Sequence, residues 1–152
     1  MMRVYVQRLD RMALPPEQRS GDVGFDIRTL HEHIIGPGAV KVIGTGFAFA
    51  VEHELASGLN VFAKIEGRSS LAQMGLFPIG GIIDPDYRGE VKAILYNSSK
   101  VPLQIHPGDK IAQLVFYAAM ISNQGVDGIQ ILSVDNLDDT LRGTDGFGST
   151  GR

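Results

Sequence analysis

Cysteine is absent from this sequence of 152 residues. Its absence excludes disulfide bonds, thiol catalysis and zinc sites built on cysteine, and it agrees with a reducing compartment. Long apolar runs are also missing, so no segment reaches the length of a membrane span, and the first residues do not resemble a signal peptide. We therefore expect a cytoplasmic or otherwise intracellular protein without a membrane partner.

Charge of one sign is not in excess, because charged residues make up 20% of the sequence and the formal net charge is −3. This balance excludes the disordered class and a strongly basic nucleic-acid binder, so we expect no nucleic-acid partner. A mildly acidic protein still binds polyanions where local arginines or a metal ion neutralise them. The histidines are scattered, which does not predict a zinc site.

Glycine and proline, by contrast, are frequent, with 19 and 7 residues in a chain that is 43% hydrophobic. Short β-forming runs separated by Gly, Pro, Asn and Ser turns predict an all-β sandwich or barrel, with a last strand at Gln130–Val134. The clearest helical signal is Ser69–Gly75, where Ser70 and Gln73 have capping-box spacing and Gly75 suits the helix end.

The chain is long enough for one domain, which we place at residues 1–135. Residues 136–152 contain few large apolar side chains, so this tail cannot bury enough surface to fold alone. We expect it to be mobile until a ligand binds.

Gly81–Glu90 is an apolar run that ends in two acids, a tyrosine and an arginine. Its glycines and proline predict a hairpin that projects from a sheet. Neighbouring side chains would partly shield Asp84, and a shielded acid beside an aromatic residue is a candidate reactive group. Acids in turns are more often ordinary turn formers, so this segment alone does not decide between the two.

Two other segments carry groups that bind anions. Gly67–Ser70 combines a guanidinium, two hydroxyls and the free amides of a helix start, although a capped helix with a surface arginine explains it equally well. Arg142–Arg152 combines glycines, hydroxyls, two arginines and Phe147, which favours phosphate binding over a plain flexible terminus. Gln113 lies among apolar residues, where it is either an inward amide with a specific partner or an ordinary strand residue.

Five segments in this order resemble the five signature motifs of the trimeric deoxyuridine triphosphatases (dUTPases). They are Val23–Ile27, Gly67–Ala72, Gly81–Glu90, Gly108–Leu114 and the glycine-rich segment Arg142–Gly151. The resemblance implies a distorted jelly-roll β-barrel with one short helix and a flexible C-terminal tail. It also implies a homotrimer with shared active sites, in which Mg²⁺ assists the hydrolysis of dUTP to dUMP and pyrophosphate. Such an enzyme limits the incorporation of uracil into DNA and supplies dUMP for thymidylate synthesis.

The resemblance also assigns roles by position in the body of the chain. Asp84 would orient and deprotonate the water that attacks the α-phosphorus, and Tyr87 would pack against the deoxyribose and leave no room for a 2′-hydroxyl. Asp26 would contact the metal through its bound water. Phosphate oxygens would be held by Arg68, Ser69, Ser70 and Gln113, and the uracil edge would be read by the backbone of Gly80, Gly81, Ile82 and Ile83.

In the tail, the resemblance makes Arg142 the partner of the γ-phosphate and Phe147 the cover of the uracil. Gly148, Ser149 and Thr150 would wrap the phosphates. Asp145 departs from the glycine common in the family and adds a negative charge beside that wrap.

Two alternatives belong to different classes. A dCTP deaminase shares the fold and a Gly-Arg-Ser-Ser-Leu-Ala segment, but it needs a glutamate at the position that Ile94 occupies here. A non-catalytic nucleotide sensor would have lost the acid, the arginines or the tail motif, and this sequence retains all three.

Overall fold

Eleven β-strands and one helix make up the part of the chain that the computed structural model describes, which is residues 2–52, 59–120, 129, 132–134 and 136. The strands are β1 (Arg3–Arg8), β2 (Phe25–Arg28), β3 (His33–Ile35), β4 (Val40–Gly44), β5 (Phe47–Glu52), β6 (Leu59–Glu66), β7 (Leu76–Pro78), β8 (Ile82–Ile83), β9 (Lys92–Asn97), β10 (Leu103–Ile105) and β11 (Lys110–Met120), and the helix is α1 (Ser69–Gln73). The prediction of an all-β fold with one short helix is therefore confirmed.

The strands form four antiparallel sheets. The largest has the order β2-β11-β6-β8, and a second has the order β4-β9-β7. Two further pairs, β1 with β5 and β10 with β3, complete the layers. The longest strand, β11, lies inside the largest sheet and pairs with β2 on one side and β6 on the other.

Alternation along β6 decides which side chains face the core. Val61, Ala63 and Ile65 are buried, whereas Lys64 and Glu66 point to the opposite face. The core that these buried residues enter is aliphatic with a phenylalanine at its centre; its fully buried members include Ile27, Ile35, Ile43, Phe47, Leu76, Leu95, Ile111 and Leu114. The outer face of the same sheet is left free to carry polar groups.

The helix begins two residues earlier than the capping-box pattern predicts. Its N-cap is Arg68, which makes no side-chain capping bond, so the predicted capping box at Ser70 and Gln73 is wrong. The predicted stop at Gly75 is confirmed, since Gly75 follows the C-cap with φ of 82°. Both serine hydroxyls are therefore not used in a helix cap, and both residues are exposed.

The predicted hairpin at Gly81–Glu90 is wrong in its pairing. The strands that pair are β7 and β9, and the connection between them carries β8 across to β6, where Ala63 faces Ile83. Two glycines make this crossing possible, because Gly80 and Gly81 have φ of 73° and 114°. The Gly81 carbonyl accepts a bond from the Ile65 amide at 2.9 Å, and a Cβ on Gly81 would lie 2.9 Å from that of Ile65.

The C-terminal predictions are tested only in part. At residues 132–134 of the predicted last strand the structure has no strand, and Gln130 lies outside the described residues. The tail at residues 137–152 also lies outside them, so its mobility and the domain boundary stay predictions. Among the residues described, no helix is long and apolar enough to cross a membrane.

Candidate active site

A polar cavity of about 610 Å³ opens on the outer face of the largest sheet, at the ends of β2, β6 and β11. Five of the predicted site residues line it: Asp26, Arg68, Ser69, Ser70 and Gln113. Strand register brings these residues together, because Gln113 on β11 pairs with Asp26 on β2 on one side and with Glu66 on β6 on the other. Helix α1 starts directly after β6 and adds its two serines at the rim.

Asp26 lies between two cations in this cavity. One of its carboxylate oxygens accepts a hydrogen bond from Arg68 Nε at 2.8 Å, and the other accepts one from Lys110 Nζ at 2.6 Å. Partial burial pushes the pKa of Asp26 upward, but the bonds from Lys110 and Arg68 outweigh it, so the pKa lies below the ordinary value. Asp26 is therefore an anion that holds both cations at the cavity wall.

Gln113 has the specific partner that one alternative predicted, but its side chain lies on the outer face of the sheet and is not inward, because the buried Ala112 and Leu114 flank it. Its Nε2 donates to the Gly67 carbonyl at 2.8 Å, which ties β11 to the start of the helix segment. Gly24 makes this position possible, because a Cβ on that residue would overlap the Gln113 side chain. The Gln113 side chain is thereby packed between Gly24 and the start of the helix segment.

A second, smaller cavity of about 220 Å³ collects the predicted residues around β8. Gly81, Ile82, Ile83, Asp84 and Tyr87 line it. Gly80 is exposed beside it and has no part in its wall. The expectation that neighbours shield Asp84 is wrong for a single chain, in which Asp84 is exposed at this cavity.

The two cavities have no lining residue in common. They meet the end of β6 from different sides, since Glu66 lines the first cavity and the adjacent Ile65 lines the second. One chain thus groups the predicted phosphate ligands and, separately, the predicted base and sugar contacts. Arg142, Phe147, Gly148, Ser149 and Thr150 lie outside the described residues.

The family model described as dUTPase matches residues 10–151. The chain belongs to the dUTPase family. A deoxyuridine 5′-triphosphate nucleotidohydrolase of Corynebacterium glutamicum is 36% identical over 98% of this chain and 95% of its own length, and one of Nautilia profundicola is 37% identical over 99% and 100%. A vaccinia virus relative of the same name is 33% identical over 97% and 91%.

Solved dUTPase structures share the fold. The dUTPase of Staphylococcus bacteriophage 80alpha with dUPNHPP has a TM-score of 0.77 at 22% identity, covering 99% of both chains. The native dUTPase of EIAV has a TM-score of 0.64 at 27% identity, covering 90% of this chain and 100% of its own. The jelly-roll architecture expected of a dUTPase is thereby confirmed.

The acids that the structure describes in this dUTPase-family chain do not form a metal cage. Among the described residues, no three His, Cys, Asp or Glu side chains come together to hold an ion. Magnesium does not require such a cage, because it keeps several waters and is commonly held through one or two carboxylates plus substrate phosphates. Three carboxylates and three cations line the cavity: Asp22, Asp26 and Glu66 with Arg19, Arg68 and Lys110. Asp26, whose pKa the bonds from Arg68 and Lys110 lower, is the carboxylate that would hold Mg²⁺ together with a triphosphate.

Sequence reasoning assigned no role to Lys110, which the structure places in the dUTPase cavity. Lys110 is 84 residues from Asp26, and Arg68 is 42 residues away. The only signal was its position inside Gly108–Leu114, where the family motif already drew attention to Gln113. Because only the β2–β11 register brings Lys110 to Asp26, no local pattern predicted the pair.

Proposed function

We propose that the protein is a dUTP diphosphatase that hydrolyses dUTP to dUMP and pyrophosphate. The observation that carries the proposal is the polar cavity that brings together Asp26, Arg68, Lys110 and two serine hydroxyls in a chain of the dUTPase family. The three curated relatives above bear the name deoxyuridine 5′-triphosphate nucleotidohydrolase. By this activity the protein would limit uracil in DNA and supply dUMP for thymidylate synthesis.

The cavity supplies what a triphosphate needs. Arg68 and Lys110 contribute two positive charges, and the exposed Ser69 and Ser70 contribute hydroxyl donors at the start of α1. Phosphoryl transfer depends mainly on positioning and on neutralising charge. The Asp26 carboxylate keeps the guanidinium and the ammonium group at fixed positions, so they need little reorganisation when the phosphates arrive.

A bound Mg²⁺ ion would supply neutralisation of the phosphate charge. Asp26 is the residue of this chain that we assign to it, through metal-bound water. A variant dUTPase of phage phi11 of S. aureus is described as coordinating a structural Mg(II) ion. That ion belongs to the phage protein; here the assignment depends on the Asp26 carboxylate and its lowered pKa.

The second cavity would hold the nucleoside. Asp84 at its edge would orient the water that attacks the α-phosphorus in line and take its proton. The backbone from Gly80 to Ile83 would read the uracil edge, and the Tyr87 ring would lie against the deoxyribose. Ile94 also lines this cavity, so an apolar side chain occupies the place where a dCTP deaminase would need its glutamate.

We assign the complete site to a homotrimer. The phosphate residues and the nucleoside residues lie in cavities without a common wall, which supports a site built from two subunits. Asp84 would then be shielded by a neighbouring chain and by substrate. One dUTP would contact the nucleoside cavity of one subunit and the phosphate cavity of the next.

The tail would close over the bound nucleotide. Arg142 would contact the γ-phosphate, Phe147 would cover the uracil, and Gly148, Ser149 and Thr150 would wrap the phosphates. Closing the site excludes water other than the attacking molecule. Removing residues 142–152 should slow steady-state dUTP turnover by about 10²–10³-fold while the trimer remains assembled. An unchanged rate, with the oligomeric state checked by sedimentation, would contradict the proposed closure.

One assay tests the function itself. The protein is incubated with Mg²⁺ and dUTP, dCTP, dTTP or UTP, and pyrophosphate, ammonia and the base products are followed. We expect pyrophosphate and dUMP from dUTP, and little from the other three nucleotides. Ammonia released from dCTP would identify a deaminase, and nucleotide binding without any product would identify a sensor.

A further inference from the structure

Tyr87 is held in one orientation by its own chain. Its hydroxyl donates a hydrogen bond to the Glu90 carbonyl at 3.2 Å, and its amide donates to the Asp84 carbonyl at 3.1 Å. The side chain is otherwise open, with 47% of the residue exposed. The aromatic ring thus lies over Gly89 and Glu90.

Gly89 lies directly under that ring. A Cβ added to Gly89 would overlap the phenol, and even the more distant ring atom Cε2 would be 3.0 Å from it. Gly89 does not have a positive φ, so its backbone conformation is open to any residue. The position therefore needs glycine for the missing side chain and not for backbone freedom.

Glu90 anchors the other contact of the ring. Its carboxylate accepts a bond from the Gly46 amide at 2.9 Å and lies so close to Gly44 that a Cβ there would overlap it. It also pairs with Lys92 at 3.5 Å. Glu90, whose carbonyl accepts the hydrogen bond from the Tyr87 hydroxyl, is thereby bonded to the turn between β4 and β5. Neither of these two strands belongs to the sheet that contains β8.

We propose that Gly89 and Glu90 are positioning residues that set the plane of the Tyr87 ring, and that they thereby determine the selectivity for deoxyribose over ribose. The inference rests on the proposed function, in which Tyr87 packs against the sugar. A ring pressed against C2′ excludes a hydroxyl group only while it cannot move. A methyl group under the ring would push it away, which would open space for the ribose hydroxyl and misplace the sugar by a fraction of an ångström.

The test compares Gly89→Ala, Tyr87→Ala and the double variant with the wild-type protein. For each, kcat and KM are measured with dUTP and with UTP. Gly89→Ala should lower the ratio of kcat/KM for dUTP to that for UTP by about ten- to a hundredfold, because small misplacements have effects of this size. In the Tyr87→Ala background the same substitution should leave the ratio unchanged, since the ring that it displaces is gone.

Gly36→Ala is the matched control. Gly36 also lacks a positive φ, and a Cβ there would meet nothing within 4 Å, so this variant should keep the wild-type ratio. If Gly89→Ala fails to fold, Tyr87→Ala should restore folding in the double variant, as measured by thermal unfolding. A double variant that stays unfolded would overturn the inference.

Two results separate this inference from the proposed function. If Tyr87→Ala lowers the dUTP-to-UTP ratio and Gly89→Ala does not, the positioning role is wrong and the function stands. If Tyr87→Ala itself leaves the ratio unchanged, the proposed place of Tyr87 against the sugar is wrong. Equal losses from Gly89→Ala in the presence and absence of Tyr87 would also overturn the positioning role.

Discussion

At the scale of single residues, two aspartates differ because their surroundings differ. Asp26 is only 23% exposed at its side chain and bonds to Arg68 and Lys110, whereas Asp84 is exposed at a cavity edge. The first is a permanent anion that organises cations. The second is placed where a substrate and its attacking water would reach it, which suits a base whose partners arrive with the ligand.

Asp26→Asn should lower the free energy of unfolding by about 1–3 kcal/mol at neutral pH, because two charge-assisted hydrogen bonds lose their anion. The pKa of Asp26 in the fold is lower than its ordinary value of 3.8. Its contribution is therefore complete above that pH and is lost as the pH falls through the lowered pKa. Denaturant unfolding of both proteins at several pH values measures this.

The difference between wild type and Asp26→Asn should thus shrink below pH 3.8. Asp86→Asn is the control, since Asp86 is exposed. A difference for Asp26→Asn that stays constant down to strongly acidic pH would contradict the ion-pair explanation.

Asp84→Asn should leave dUTP binding nearly intact and reduce kcat by about 10²–10⁴-fold, because the amide cannot accept the proton of the attacking water. Isothermal titration with a non-hydrolysable dUTP analogue and steady-state kinetics measure the two effects. Asp86→Asn again serves as the control, two residues away in the same turn. Wild-type turnover of Asp84→Asn would refute the assigned role.

At the scale of elements, the sheets are stabilised by a few hydrogen bonds of buried polar side chains as well as by apolar packing. Asn97 ends β9 and is fully buried. Its Nδ2 donates to the carbonyls of Ile35 and Val101 at 2.8 and 2.9 Å, and its Oδ1 accepts from the Ser99 amide at 2.9 Å. One side chain therefore joins β3, β9 and the turn to β10.

Asn97→Ala should destabilise the fold by about 2–4 kcal/mol, since it removes three hydrogen bonds made by a fully buried side chain and leaves a cavity in its place. Denaturant unfolding monitored by far-UV circular dichroism gives the value. Lys100→Ala in the same turn alters only an exposed side chain and should change stability by less than about 0.5 kcal/mol. Equal effects of the two substitutions would show that the buried hydrogen bonds are not responsible.

At the scale of the whole molecule, the separation of the two cavities predicts complementation between defective chains. Arg68→Ala and Asp84→Asn should each be nearly inactive alone. When the two chains are refolded together, a shared site is intact if one neighbour retains Asp84 and the other retains Arg68. With random mixing in equal amounts, each of the two subunits that share a site is the required variant in about half of the cases. About a quarter of the wild-type activity should therefore return.

The recovery is measured by comparing two mixtures: chains refolded together, and proteins folded separately and mixed afterwards. The mixture of separately folded proteins should stay inactive as long as subunits do not exchange. If each site lay within one chain, every site would carry a defect and refolding together would restore nothing.

Much of the fold followed from local patterns. Alternating side chains and turn residues predicted an all-β fold of short strands with one short helix, because strand periodicity is a property of consecutive residues. The pairing of β8 did not follow in this way. Its hydrophobic residues suited a local hairpin, but Gly80 and Gly81 send the chain to β6, which lies earlier in the sequence.

By itself, the sequence determined the class of fold and the kinds of group that the site contains: an acid in a turn, an arginine and serines at a helix start, and an amide in a strand. Only the tertiary structure decided which of them meet. Lys110 reaches Asp26 through strand register, Gly89 lies beneath Tyr87, and the two halves of the site point into separate cavities. Consecutive residues determine which chemical groups a segment carries, whereas contacts between distant residues depend on how strands pair across the whole sheet.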